Sequence, residues 1–100
     1  METFRDKRCF LTGAASGIGR ATALAAAAEG AILFLTDLDA PGLERVVADV
    51  RAAGGRVGAH RALDITDHDA VRAFAQEIHA SSGSMDAVMN IAGISIWGTV

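Results

Sequence analysis

Eight consecutive residues, Thr12-Gly13-Ala14-Ala15-Ser16-Gly17-Ile18-Gly19, hold the densest set of positions that could do chemistry. Their glycines, spaced G-x-x-x-G-x-G, follow the short apolar run Arg8-Cys9-Phe10-Leu11-Thr12 and open a stretch rich in alanine, leucine and arginine. A glycine pattern becomes a site only between a strand and a helix, which is the context predicted here. Gly13 allows a sharp turn, Gly17 has no side chain to obstruct a phosphate, and Gly19 lets the helix pack closely on the sheet. The free N–H groups at the helix start, that of Ile18 among them, would face an anion along the positive end of the helix dipole. Such a loop can hold the pyrophosphate of a dinucleotide.

Asp37 ends the second apolar run, 24 residues after Gly13, near the offset of about 20 at which an acidic residue meets a ribose. Its carboxylate can accept hydrogen bonds from ribose hydroxyls, each worth about 1.5–3 kcal/mol when one partner is charged. The same charge repels a 2′-phosphate. NAD is therefore expected over NADP. Asp37 can equally begin the turn into the second helix, with Asp39 as its cap, and the two roles are compatible.

Strand and helix signals that position these residues alternate without a break. Ile18 to Glu29 is built of helix formers and stopped by Gly30. Ala31 to Thr36 is apolar on both faces, as a strand covered by helices on each side must be. Leu43, Val46, Val47 and Val50 recur at i, i+3, i+4 and i+7 in a helix with Asp39 as N-cap, Pro41 in its first turn and Gly54-Gly55 at its end. Arg56 to Leu63 is a less apolar third strand, nearer a sheet edge. Thr66 is expected to cap a third helix, with Asp69 completing a near capping box, and Val71, Phe74, Ala75 and Ile78 to be its buried face. Ser81 to Ser84 closes that helix, and Asp86 to Ala92 is a fourth strand before Gly93.

The order β-α-β-α-β-α-β implies a Rossmann-type, doubly wound α/β fold with a parallel sheet. Right-handed crossovers give the strand order 3-2-1-4, with a crevice between strands one and four where ligands bind. The glycine loop and Asn90 to Gly93 both fall there.

Composition excludes other classes. One hundred residues suit one domain, and 51% apolar with 21% charged residues is a globular balance. A net charge of −3 offers no basic surface for nucleic acid. No apolar run approaches the roughly 20 residues of a membrane span, and the first eight residues lack a signal-peptide core. The single cysteine, Cys9, excludes an intrachain disulfide and reads as a buried strand residue; the cytoplasm is the expected location. His60, His68 and His79 are too widely spaced for a metal motif, so no metal site is expected. Ser81, Ser82 and Ser84 have no base beside them.

The run Thr12 to Gly19 resembles the coenzyme loop of the short-chain dehydrogenase/reductase family. Leu63-Asp64-Ile65-Thr66 resembles that family's adenine-contacting turn, and Asn90-Ile91-Ala92-Gly93 its Asn-Asn-Ala-Gly segment, with Ile91 in place of the second asparagine. The three motifs, in order and correctly spaced, cover nearly all of the chain. The resemblance implies an oxidoreductase moving hydride between NAD(P) and a small-molecule alcohol or carbonyl substrate. It further implies cofactor contacts from Gly13, Ser16, Gly17, Ile18, Gly19, Asp37 and Leu38, with Asp64 accepting from the adenine amino group and Ile65 lining the adenine pocket. Asn90, Ala92 and Gly93 would border the nicotinamide ribose. Asp64 also reads as a turn residue where negative charge suits the third helix.

The family's catalytic tyrosine, and the lysine four residues after it, have no counterpart: the chain has no tyrosine, and its one lysine, Lys7, precedes the first strand. No residue here is expected to be catalytic. An interior strand four left as an apolar edge also points to the truncated, coenzyme-binding half of a longer enzyme. In its full length the resemblance implies a homo-oligomer with interfaces on later helices. The alternatives are a nucleotide-binding module without catalysis and an inactive truncated product. Trp97 reads as a wall of a substrate pocket or as a core residue.

Overall fold

The computed structural model describes residues 4–91. Its elements run β1 (Arg8–Thr12), α1 (Gly17–Ala28), β2 (Ile32–Asp37), α2 (Ala40–Ala52), β3 (Arg56–Ala62), α3 (His68–Ser82) and β4 (Ala87–Asn90). The strands form one parallel sheet in the order β3-β2-β1-β4, the doubly wound order expected from the alternation. Among the described residues no helix is long and apolar enough to cross a membrane.

Alternation along β1 and β2 sorts their side chains into two cores. Cys9, Leu11, Leu33 and Leu35 meet Ala23 and Ala26 of α1 and Leu43, Val46, Val47 and Val50 of α2 on one face. Phe10 and Phe34 meet Phe74 and Ile78 of α3 on the other. Both helices over the first face end as read: Gly30 and Gly54 follow them with φ of +92° and +87°, a left-handed backbone that glycine adopts without a Cβ penalty. Burial pushes the Cys9 thiol up from its ordinary pKa, with the charge of Asp86 adding to the effect.

The edge strand β3 carries an irregularity. Leu33 pairs with Val57 and Phe34 with Ala59, so Gly58 is left over as a bulge. A Cβ at Gly58 would stand 2.5 Å from Cε2 of Phe34, so the glycine makes room for that ring. The extra residue resets the alternation. Val57 packs against the first core and Ala59 against the second. His60 then reaches Glu44 of α2 at 3.1 Å, while Arg61 lies over the Phe74 ring, 4.8 Å from its centroid, and pairs with Glu77 of α3.

Two details of α3 differ from the sequence reading. Its N-cap is Asp67, which accepts from the Ala70 amide, rather than Thr66. The Thr66 hydroxyl is taken by Asp64, two residues back, a local Asx-type competition that shifts the cap by one residue. Only Phe74 and Ile78 of the expected face are buried; Val71 is half-buried and Ala75 exposed. The helix covers the β2–β3 side of its face, so Ala75 instead borders an open groove of about 620 Å³ with Phe10, Ile78, His79 and Met85. Val88 of β4 is 69% exposed.

Asp86 registers β4 against β1: its carboxylate accepts from the Arg8 amide at 2.8 Å, and its own amide donates to the Arg8 carbonyl at 2.8 Å. The Arg8 backbone bond, aided by the charges of Arg8 and Lys7, holds the Asp86 carboxyl below the usual carboxylate range. A depressed folded pKa gives stability that is present above the unfolded value of about 3.9 and is lost as pH falls through the folded one. Asp86→Asn is therefore expected to flatten the pH dependence of stability below about pH 4. Unchanged acid unfolding in the variant would refute this.

Candidate nucleotide site

The carboxyl ends of β1, β2 and β4 bring together the glycine loop, Asp37 and Asn90, in register as Thr12↔Thr36 and Thr12↔Asn90. Gly13 turns the chain with φ +71°. The loop is then fixed by its own polar groups. The Ala14 amide donates to the Thr36 carbonyl at 3.1 Å. The Ser16 hydroxyl donates to the Gly13 carbonyl at 2.8 Å and accepts from the Gly19 amide at 2.9 Å. Ser16 is thus the N-cap of α1, a structural duty that the reading of it as a cofactor contact did not include.

Gly19 lies against Gly13: a Cβ on it would be 2.0 Å from the Gly13 carbonyl oxygen. Gly17 is the opposite case, exposed and with nothing within 4 Å of a Cβ. Among the described residues the amides of Gly17 and Ile18 have no partner, leaving two donors at the positive end of the twelve-residue helix α1. Ile18 and Leu38, 57% and 73% exposed, flank this end as large apolar side chains without cover.

Asp37 is bound on both carboxylate oxygens. Oδ2 accepts from the Ala15 amide and Oδ1 from the Asp39 amide, each at 2.8 Å. Asp39 in turn caps α2 by accepting from Gly42 at 3.0 Å, as the sequence led us to expect.

The turn after β3 reaches the same end, since the Leu63 amide donates to the Asp37 carbonyl at 3.1 Å. Asp64 is exposed and Ile65 half-buried. Hydrogen bonds from the Thr66 amide and then the Thr66 hydroxyl hold the Asp64 carboxyl below its ordinary range. Both readings of Asp64 thus remain compatible: it makes a turn and presents a charged carboxylate.

On β4 the Asn90 side-chain oxygen accepts from the Thr12 hydroxyl at 2.9 Å, a cross-strand bond that orients the amide. The sequence reading places Thr12 in the loop without a role of its own, although its place beside Asn90 follows from the strand order. Ile91 is buried. Ala92, Gly93 and Trp97 lie outside the described residues. Among the described residues no three His, Cys, Asp or Glu side chains converge as a metal site.

Three comparisons bear on this arrangement. The family model for short chain dehydrogenase matches residues 7–100. The protein named "Probable oxidoreductase EphD" of Mycobacterium tuberculosis is 44% identical over 91 residues, which are 91% of this chain and 15% of that protein. A short chain dehydrogenase/reductase from Burkholderia phymatum, solved in complex with NAD, superposes with a TM-score of 0.79 at 35% identity, covering 88% of this chain and 31% of its own. A metagenomic short-chain oxidoreductase solved in complex with NADP superposes equally well, with a TM-score of 0.79 at 33% identity over 87% of this chain and 39% of its own. The chain therefore spans well under half the length of each relative.

Proposed function

Since the chain belongs to the short-chain dehydrogenase family, we propose that it is the dinucleotide-binding part of an oxidoreductase that moves hydride between NAD and an alcohol or carbonyl substrate. The observation that carries this reading is the pair of amides, Gly17 and Ile18, without a partner among the described residues at the N-terminus of α1, whose loop is tied to the Asp37 carboxylate. The amides donate to the pyrophosphate, and the absence of a side chain at Gly17 lets it approach. Gly13 and Gly19 give the loop its shape, and Ser16 holds it by capping the helix. Leu38 and Ile18 cover the apolar parts of the nucleotide, Asp64 accepts from the adenine amino group, and Ile65 lines the adenine. Asn90, oriented by Thr12, borders the nicotinamide ribose.

NAD is preferred to NADP in this reading because Asp37 would face a 2′-phosphate with a like charge. Arg20 is paired with Asp49 at 3.0 Å and Arg61 with Glu77. The chain has no tyrosine, so the proton donor of the family's reaction comes from outside these residues.

Calorimetric titration of the intact protein with each cofactor tests both levels. Saturable NAD binding at least about tenfold tighter than NADP is expected, given that like-charge juxtaposition costs more than 1 kcal/mol. Equal affinities would remove Asp37 as the selector. No binding of either would sink the functional reading.

A further inference from the structure

Asp37 closes β2 at the position read as the ribose acceptor, and both of its carboxylate oxygens are bonded to main-chain amides of the protein itself. Its Oδ2 accepts from Ala15 in the middle of the glycine loop, and its Oδ1 from Asp39 at the start of α2. We propose that Asp37 is a positioning residue for the pyrophosphate loop as well as a ribose acceptor. Its carboxylate ties Ala15 to the end of β2 and so holds the loop with the Gly17 and Ile18 amides open before the dinucleotide arrives. The inference rests on the nucleotide reading of the site and adds a ligand-independent step to it.

Three observations support the tie. First, the loop's remaining fastenings hold other atoms: Ala14 to Thr36, and Ser16 to Gly13 and Gly19. Among the described residues, the Ala15 amide is hydrogen-bonded to Asp37 alone. Second, the tie is braced. Asp39 caps α2 through Gly42, and a Cβ at Gly42 would stand 2.3 Å from Oδ2 of Asp39 and 3.0 Å from the Ala15 methyl. The α2 terminus therefore packs on the loop residue that Asp37 holds. Third, the two roles do not compete. A carboxylate has about four lone-pair positions, and the two amides occupy one on each oxygen, leaving one on each for a ribose hydroxyl. A bond from an amide to a charged acceptor is also stronger than one between neutral groups, so it can fix a loop that is otherwise partly exposed.

The consequence is that a change at position 37 reaches the pyrophosphate. A residue acting on the ribose alone would leave a ligand without ribose unaffected, or bound more tightly once a negative charge near an anion is removed.

Amide hydrogen exchange followed by NMR on the nucleotide-free intact protein tests the tie, with the Ala14 amide as internal reference because it bonds to the Thr36 carbonyl instead. The Ala15 amide should be protected in the parent and exchange about tenfold faster or more in Asp37→Ala, with Ala14 little changed. Equal Ala15 exchange in the two proteins overturns the proposal. If Asp37→Ala does not fold, the parent alone decides: an unprotected Ala15 amide has no tie to lose, and a protected, downfield-shifted one supports it. Titration with inorganic pyrophosphate then reads the consequence, and weaker binding by Asp37→Ala than by the parent is expected. Unchanged or tighter binding limits Asp37 to the ribose and overturns the positioning role. A parent that shows the protected amide but binds neither pyrophosphate nor NAD would instead disprove the nucleotide reading and leave the tie standing.

Discussion

Gly19→Ala is expected to lower the melting temperature and to abolish nucleotide binding, whereas Gly17→Ala should melt like the parent and bind more weakly. The two glycines are two residues apart and differ in what surrounds them. A methyl at position 19 meets the Gly13 carbonyl oxygen at 2.0 Å, the Gly13 carbonyl carbon at 2.8 Å and the Ala14 Cα at 2.9 Å. All three are backbone atoms of the turn, so relief requires α1 or the loop to move. Overpacking of this kind costs about 1–3 kcal/mol, and more where backbone must shift. For a domain of 60–100 residues each kcal/mol is worth about 4–8 °C. The shift also moves the Gly17 and Ile18 amides away from any phosphate. A methyl at position 17 meets nothing within 4 Å and leaves the helix start intact. Its effect falls on the ligand alone, because in the proposed mode of binding it stands where the phosphate approaches. Thermal unfolding and NAD titration of both variants check the contrast, and equal losses of melting temperature would contradict the close approach at Gly19.

Phe74→Ala is expected to cost about 3–5 kcal/mol, the range for truncating a buried aromatic side chain. Phe74 is 2% exposed and joins α3 to the sheet through Phe10, whose ring centroid is 5.9 Å away, and through the Arg61 guanidinium above it. Its cluster is small: only Ile78 of α3 is buried with it against Phe10 and Phe34. Among the described residues the larger core, on the opposite face, packs α1 and α2 against the sheet without α3. Loss should therefore be uneven. Hydrogen exchange in α3 should rise sharply, while β1, β2 and the two other helices keep most of their protection. Uniform loss across the chain would show that α3 and the rest of the fold open as one unit, and a cost of less than about 1 kcal/mol in denaturant unfolding would show that α3 does not depend on this ring.

The alternation of elements, the strand order and the larger core were legible in the sequence because each rests on a repeated signal. Leu43, Val46, Val47 and Val50 recur at helical spacing and are all buried. Features set by single side chains were less so. Thr66 and Asp67 are both good caps, and the choice between them was made by Asp64, which captures the Thr66 hydroxyl. Ala75 has the right spacing but is exposed, since periodicity reports a face and not how far a neighbour extends. In the site, the glycines and Asp37 announce themselves by type and spacing. Ser16 as a cap for Gly19, and Ala15 as the residue that Asp37 holds, do not: both bonds involve main-chain amides, which every residue carries. The bond from Thr12 to Asn90 required only the strand order and could have been anticipated.

Gly58 works as a phase shifter. Along a strand the inward and outward positions keep step by parity, so one surplus residue exchanges them for everything downstream. Because of it, His60 turns toward α2 and Arg61 toward α3, and the chain enters the Asp64 turn in that phase. The edge strand therefore carries positional information in its residue count. Its polar side chains could be exchanged for others with modest effect, but gain or loss of one residue between Val57 and Ala59 would present the wrong face to each helix and hand the Asp64 turn to the wrong side of the sheet.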